Sequence, residues 1–295
     1  MLGDMEQIVL ETPESLPEAV AFANRQFGTD FMRFQPKLYC HADAGATYTL
    51  RKDGTIAGML SVYPSVGRDA RFLSVGTVCT DPAFRGQGVM SALFGFLQDA
   101  VFPHYDMIAL SGRRERYEHF GFAKALWFPE YWFYPQKSET KLRISAASKQ
   151  DASIALDCWI AYGSGIERPL NRMPDILQSA NQKAYLLSDG RQFGYIAANC
   201  QKRRITEYCG PWPVEMAIRT LSSLWGEDKI SILGSFNCHD PALLAACDSY
   251  CLHNHGNIRM QSMQMGLQET YAFFGHGGSE PAMKLPASLF YLDGI

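Results

Sequence analysis

The order of turn and cap signals in the first half of this chain is repeated in the second half. Three pairs of signals share nearly one offset: a capping serine (Ser15 and Ser148), a helix-ending glycine (Gly28 and Gly163) and a hairpin turn (Asp53-Gly54 and Asp189-Gly190). The members of the three pairs lie 133, 135 and 136 positions apart. Because three independent signals keep this spacing, the sequence predicts a tandem duplication of one structural unit. Two unrelated units with similar punctuation are the alternative.

Each half alternates strand-like and helix-like patterns, which is typical of an α/β fold with a mixed sheet. In the first half, Ser15 and Glu18 have capping-box spacing and predict a helix whose apolar face runs to Phe27. The strand-like run 73–80 then leads into a second helix that starts at Gly88.

The length of 295 residues suits two domains, and 47% hydrophobic residues can supply a core for each. The polar stretch 136–141 follows Pro135 and predicts a linker. The pattern restarts at Leu142, so the predicted domains are 1–135 and 142–295.

Charge and cysteine usage exclude several classes of protein. A formal net charge of -3 lacks the broad positive surface that non-specific nucleic-acid binding requires. No apolar run approaches the ~20 residues that cross a bilayer, and the start is acidic rather than signal-like. The eight cysteines are widely spread, which favours reduced thiols in the cytoplasm. We expect neither nucleic acid nor a membrane as a partner.

The segment 78–90 carries the most specific chemical signal. It reads as a strand, a turn and a glycine-rich helix start. Gly86 and Gly88 place no side chain where backbone N–H groups emerge at the positive end of a helix, so a diphosphate can approach them. The Lys-Ser/Thr of a P-loop and the three spaced glycines of a dinucleotide fingerprint are absent. The sequence therefore predicts an anion cradle of another kind.

This segment, together with a Tyr-x-x-x-Gly-Phe element that begins at Tyr117, resembles the GNAT family of acetyl-CoA-dependent N-acyltransferases. The pyrophosphate loop of that family reads R/Q-x-x-G-x-G/A. Arg85 and Gly88 match its first and fourth places, whereas Met90 stands where the family has a small residue. The resemblance covers about the first 135 residues, and 117–125 looks most like the Eis branch. That branch has a second GNAT-like unit, and a third domain for which this chain has no length.

The resemblance implies a GNAT fold with acetyl-CoA as co-substrate and no metal. Backbone groups of strand four, at Val78, Cys79 and Thr80, would contact the pantetheine and thioester. The loop that would hold the pyrophosphate consists of Arg85, Gly86, Gln87, Gly88, Val89 and Met90. Tyr117 would be the general acid that protonates the departing thiolate, and an aromatic residue that caps the core is the alternative.

Several groups are candidates for the general base. Several GNAT enzymes have a glutamate on strand four, but 73–80 contains no carboxylate. The candidates are a water chain, Glu118, His119, His41 and, by resemblance to the Eis branch, the terminal carboxylate of Ile295.

Two further groups near the cradle each allow two interpretations. Cys79 would be a nucleophile only with a paired base, and because none is visible we expect a buried strand residue. Upstream of Tyr117, three arginines either contact CoA phosphates or form a solvated face: Arg113, Arg114 and Arg116.

The second half lacks the cradle. The equivalent turn reads Gly210-Pro211-Trp212-Pro213, and its prolines remove N–H donors. We expect this unit to bind no CoA and to support the structure or wall the acceptor pocket. A group of cysteines and histidines there matches no standard zinc spacing, so no metal is expected: Cys238, His239, Cys247, Cys251, His253 and His255.

The resemblance implies an N-acetyltransferase that moves an acetyl group to a primary amine by direct attack in a ternary complex. The alternative is a non-catalytic CoA-binding sensor or interaction protein, which Met90 and the missing strand-four glutamate favour. The acceptor, a small molecule or a peptide, is not readable from the sequence. Formation of a homo-oligomer is left open.

Overall fold

The computed structural model describes residues 6–67, 71–111, 116–135, 141–163, 166–234 and 240–260. The described chain divides into two compact units, one mainly 1–123 and the other mainly 124–256. None of the helices in these ranges has the length and apolar character that spanning a bilayer requires.

The first unit is a five-stranded sheet with helices. Its elements are β1 (Glu6–Leu10), α1 (Leu16–Phe27), α2 (Phe31–Phe34), α3 (Pro36–Tyr39), β2 (Ala46–Lys52), β3 (Thr55–Val66), β4 (Arg71–Thr80), α4 (Val89–Ala100) and β5 (Met107–Ser111). The strands lie in the order β1-β2-β3-β4-β5, and only β4 and β5 are parallel. Neighbouring residues of β3 point to opposite faces. Ile56 packs in the cluster with α1, and Ala57 packs in the cluster with α4, so helices cover both faces.

The second unit repeats this order of elements. They are β6 (Ala123–Phe133), β7 (Arg143–Ala146), α5 (Ala152–Tyr162), α6 (Met173–Gln178), β8 (Lys183–Ser188), β9 (Phe193–Asn199), β10 (Arg204–Cys209), α7 (Val214–Trp225), β11 (Ile230–Leu233), α8 (Pro241–Ala246) and β12 (Ser249–Met260), whose last four residues group with the first unit. From β7 to β11 the strands are neighbours in chain order, and β10 and β11 are parallel, as β4 and β5 are. The predicted mixed-sheet α/β architecture is confirmed.

The units divide near Ala123, before the predicted linker. The strand β6, which the sequence assigns to the first domain, pairs antiparallel with β11 from Phe133 opposite Ile230 to Glu130 opposite Leu233. This pairing places β6 with the second unit. Of the predicted linker 136–141, residues 136–140 lie outside the described residues.

The two capping signals have different outcomes. At Ser148 the predicted capping box with Asp151 is present. At Ser15 the prediction is wrong, because its hydroxyl accepts a hydrogen bond from the N–H of Thr12 at 2.9 Å and makes no cap contact. Glu18 is also unavailable, since its carboxylate binds Arg51 at 2.8 Å.

A strained bulge interrupts β4. Met59 pairs with Cys79 but Ser61 pairs with Gly76, so β4 has an extra residue here. Thr77, inside the bulge, has a φ of 49°, a left-handed conformation that costs a β-branched residue roughly 1–2 kcal/mol. On the other edge of β4, pairing with β5 ends at Val75 opposite Leu110. Beyond that point, the described residues provide no strand partner on the β5 side.

A buried hydroxyl network holds this bulge. The Tyr39 hydroxyl donates to Thr77 Oγ1 at 2.7 Å and lies 3.0 Å from Ser61 Oγ, which lies 2.9 Å from Thr47 Oγ1. Burial raises the pKa of Tyr39 to about 12, so the hydroxyl keeps its proton and remains a donor. The network thus connects α3 with β2, β3 and β4 and offsets the strain at Thr77.

We expect Tyr39→Phe to lower the free energy of unfolding by about 1–2 kcal/mol, because Thr77 Oγ1 loses its donor in a buried site. Tyr48→Phe is the control, since the structure shows no hydrogen bond of the half-buried Tyr48 hydroxyl to any described residue. Urea denaturation measures both. Equal losses in the two variants would show that the network does not support the bulge.

Candidate functional site

A cleft of about 560 Å³ opens in the first unit where β4 separates from β5. It is lined by the end of α1, the end of β4, the start of α4 and the segment 116–120. The lining residues are Gln26, Phe27, Val78, Cys79, Thr80, Arg85, Met90, Ser91, Arg116, Tyr117, His119 and Phe120.

The turn between β4 and α4 presents free backbone donors. Gly86 and Gly88 have φ values of 76° and 78°, which side chains of L residues rarely allow, and an added Cβ at either would meet nothing within 4 Å. Five N–H groups have no acceptor among the described residues: those of Gly86, Gly88, Val89, Met90 and Ser91. Because they lie at the N-terminus of the 12-residue helix α4, they form a ready anion site.

Side chains around the turn keep it in place. Asp81 accepts a hydrogen bond from the N–H of Ala83 at 2.9 Å. The Gln87 amide donates to the carbonyl of Ala83 at 3.1 Å and accepts from Lys52 Nζ at 3.2 Å. The side chain of Val89 is buried in the core, so only its backbone is available to a ligand.

The predicted site residues therefore fall into two groups. Val78, Cys79, Thr80, Arg85 and Met90 line the cleft. Gly86, Gln87, Gly88 and Val89 form the turn and the first residue of α4 beside it. Met90, the departure from the family pattern, is half-buried against the α4 core and leaves its N–H free.

Tyr117 is one of the residues that line the cleft. It precedes a short 3-10 turn (Glu118–Phe120), and its ring packs 5.8 Å from that of Phe94 and 6.5 Å from that of Phe122. Burial raises the pKa of Tyr117, and the nearby charge of Arg116 acts in the opposite direction. The phenol is therefore protonated at neutral pH. Within the described ranges, its hydroxyl has no hydrogen-bond partner.

Of the proposed bases that the structure describes, only His119 borders the cleft. Glu118 is exposed and His41 is half-buried, and neither is among the lining residues. Ile295 lies outside the described residues, as do Arg113 and Arg114.

Four lining residues were not predicted for the site: Gln26, Phe27, Ser91 and Phe120. Phe27 was expected on the buried face of α1 but is 47% exposed. It is the last residue of α1, beside the left-handed Gly28, and its ring packs edge-on to Phe31 at 5.3 Å. Helical periodicity cannot distinguish an apolar residue that lines a cleft from one in the core.

Cys79 has the properties of a strand residue and not of a nucleophile. Burial raises the pKa of its thiol to about 12, so the reactive thiolate is scarce at neutral pH.

We expect iodoacetamide at pH 8 to label Cys79 far more slowly than the exposed Cys40. Because the thiolate of Cys79 forms only as pH approaches about 12, its labelling should rise steeply between pH 8 and pH 10. Peptide mass spectrometry follows both sites. Labelling of Cys79 at the rate of Cys40 would show that the thiol is activated.

The equivalent turn in the second unit is filled by its own side chains. The Tyr208 hydroxyl donates to the carbonyl of Trp212 at 2.7 Å, and a Cβ on Gly210 would lie 2.9 Å from that hydroxyl. Pro213 is the N-cap of α7 and lacks an N–H. The turn therefore offers fewer donors and less space than the one before α4.

The sequence of the first unit matches a known family model. The match covers residues 10–122 and is to the acetyltransferase (GNAT) family. Residues 10–122 form a GNAT acetyltransferase domain. The free-donor turn and Tyr117 both lie within this domain. No curated protein matches the chain.

Solved structures share the fold of the GNAT domain and of the second unit. A probable N-acyltransferase from Enterococcus faecalis V583 has a TM-score of 0.67 and 16% identity, over 87% of this chain and 72% of that one. Eis1 from Mycobacterium abscessus has a TM-score of 0.57 and 14% identity, over 87% and 73%. A tandem GNAT protein of the clavulanic acid biosynthesis pathway has a TM-score of 0.50 and 8% identity, over 86% and 97%. At these identities the likeness concerns the fold.

Proposed function

We propose that the GNAT domain transfers an acetyl group from acetyl-CoA to a primary amine by direct attack in a ternary complex. The observation that carries this proposal is the position of the five free N–H groups at the start of α4. They border the same cleft as the unpaired end of β4 and the Tyr117 hydroxyl. A donor with a diphosphate and a thioester needs these three features together.

The residues present suit acetyl-CoA. The backbone donors of Gly86 and 88–91, with the guanidinium of Arg85, would hold the pyrophosphate, since no side chain obstructs either glycine. The end of β4, at Val78, Cys79 and Thr80, would hold the pantetheine and thioester. When bound, acetyl-CoA supplies the activated acyl group. Met90 lines the cleft without removing a donor.

The reaction then requires three proton and charge movements. The amine attacks as a neutral nucleophile, and backbone N–H groups of β4 stabilise the charge that develops on the thioester oxygen. Tyr117 donates its proton to the departing thiolate, for which its raised pKa and unpaired hydroxyl suit it. His119 is the group we propose to accept the ammonium proton, because it is the one candidate base among the described residues that lines the cleft.

The second unit is proposed to be a degenerate copy with a structural or pocket-forming role. Two features of its turn support this proposal. The Tyr208 side chain occupies the turn, and Pro213, at the N-cap of α7, has no N–H to donate. The acceptor is proposed to be a small molecule or a peptide. We place the protein in the cytoplasm on its spread cysteines, and all seven that the structure describes are free thiols.

We expect Gly88→Glu to weaken acetyl-CoA binding by well over tenfold, because it puts a negative side chain at the anion site. Gly226→Glu is a matched control: its φ is 68°, its Cβ also meets nothing within 4 Å, and it ends α7 away from the cleft. It therefore carries the same backbone strain. Calorimetry of the folded variants measures the difference, and unchanged affinity in Gly88→Glu would remove the cofactor assignment.

We expect Tyr117→Phe to lower kcat by ~10²–10⁴-fold while acetyl-CoA binding and thermal stability stay nearly unchanged. Phe keeps the ring packing, and the hydroxyl has no partner to lose in the described part of the chain. Tyr105→Phe, a half-buried tyrosine outside the cleft, is the control. Thiol release with a panel of amines measures turnover.

Two outcomes would argue against this mechanism. Wild-type turnover of Tyr117→Phe on its best amine would exclude the acid role. Tight acetyl-CoA binding by the wild-type protein without turnover on any amine would instead favour a CoA-binding sensor.

A further inference from the structure

Three metal-ligating side chains of the second unit meet at one point. Cys251 Sγ lies 3.0 Å from His253 Nε2, and His253 Nε2 lies 2.8 Å from Glu130 Oε2. All three donor atoms lie within 4.8 Å of one another. A sulfur, a nitrogen and a carboxylate oxygen are the donor types that zinc binds in proteins.

Neighbouring strands bring these residues together. Cys251 and His253 are two residues apart on β12, so their side chains lie on the same face of the sheet. Glu130 lies on β6, next to β12 in strand order. The sheet itself therefore fixes the spacing of the three donors, and no loop has to close around them.

Hydrogen bonds from Arg204 and Ser231 hold the carboxylate of Glu130 in place. Glu130 is 1% exposed. Its Oε1 accepts hydrogen bonds from Arg204 Nε at 2.8 Å and Ser231 Oγ at 2.5 Å, and its Oε2 accepts one from the terminal nitrogen of Arg204 at 2.8 Å. Each oxygen has two lone pairs. The last lone pair of Oε2 is the one directed at His253, and it is the only one left for a ligand.

We propose that Glu130, Cys251 and His253 bind a Zn²⁺ ion, with water as the fourth ligand. The ion binds between His253 Nε2 and Glu130 Oε2 to the neutral imidazole, whose single N–H proton is then on Nδ1, and the thiol of Cys251 releases its proton to solvent to become a thiolate ligand. The His253 side chain is 41% exposed, so the ion can enter from solvent and keep a water. Zinc bound here joins β6 to β12 within the second unit.

The distances suit this exchange. Zinc bonds of about 2.0–2.3 Å in a tetrahedron keep their donor atoms roughly 3.3–3.7 Å apart. The separations of 2.8 and 3.0 Å are those of hydrogen-bonded atoms and need to open by roughly half an ångström. Side-chain torsions of the two β12 residues can supply that movement, while Arg204 and Ser231 keep Glu130 in place.

The positive charge of Arg204 lowers the affinity of the site for Zn²⁺. A thiolate and a carboxylate would balance Zn²⁺, so the guanidinium beside Glu130 leaves the complex with one net positive charge. Arg204 therefore weakens binding relative to the same ligands alone, while it orients the carboxylate, as partners of metal ligands commonly do. The sulfur ligand favours zinc over magnesium or calcium, which prefer oxygen.

The sequence predicts no metal here, because Cys251 and His253 fit no standard zinc spacing. The third ligand, Glu130, is far away in the chain and belongs to a strand that the sequence assigns to the other domain. Only the pairing of strands reveals it.

The test uses the full chain, freed of metal with a chelator and titrated with Co²⁺ and then Zn²⁺. We expect one equivalent of Co²⁺ to produce a thiolate-to-cobalt charge-transfer band, which Zn²⁺ abolishes. Cys251→Ser should remove the band and weaken Zn²⁺ binding by at least tenfold against a chromophoric chelator. His253→Gln should weaken binding similarly. Cys247→Ser is the control, because this neighbouring cysteine bonds to Leu244 and is outside the cluster.

The proposal is overturned if the wild-type protein gives no thiolate band, or if the band survives in Cys251→Ser. A band lost in Cys247→Ser but retained in Cys251→Ser would place the metal elsewhere. Circular dichroism checks that each variant is folded, and if Cys251→Ser is not, His253→Gln decides the question alone. We avoid Glu130→Gln because it would also break the pair with Arg204.

Discussion

The left-handed backbone at Thr77 is the constraint on which the cleft depends. It bulges β4 just beyond Val75, where pairing with β5 ends, so that the end of β4 has one edge without a strand partner among the described residues. The strain, roughly 1–2 kcal/mol, is offset by buried hydrogen bonds of about 0.5–1.5 kcal/mol each from Tyr39. A helix residue and three strands thus cooperate to keep open the place where a thioester would lie. The end of β4 that lines the cleft is therefore held by the packing of the first unit.

The two units share an order of elements but differ where chemistry would occur. In the first, Gly86 and Gly88 adopt left-handed conformations and leave five N–H groups free at the start of a helix. In the second, Tyr208 fills the corresponding turn and Pro213 starts the helix without a donor. The same architecture therefore presents an anion site in one unit and a closed turn in the other.

The features that the sequence predicted correctly are those that depend on local residue types and on periodicity along the chain. The glycines of the turn before α4 were readable because only that residue type suits a left-handed, unobstructed loop, and the alternation of strands and helices fixed the architecture. Features that depend on residues distant in the chain were either not predicted or predicted wrongly. Ser15 does not cap α1, because its hydroxyl accepts a hydrogen bond from the N–H of Thr12, and the carboxylate of Glu18 is bound by Arg51 of β2. Phe27 lines the cleft although its helical spacing indicated the core, and the grouping of Glu130 with β12 follows from strand pairing that no pattern along the chain shows.

Amide hydrogen exchange of the full chain, with and without acetyl-CoA, tests the central claim most directly. If the free N–H groups hold the donor, exchange should slow at Gly86 and 88–91 and at the end of β4, while the start of α7, at 214–216, exchanges at the same rate in both samples. Unchanged exchange at the start of α4 under saturating acetyl-CoA, or protection at the start of α7 instead, would contradict the assignment of the donor site to the first unit.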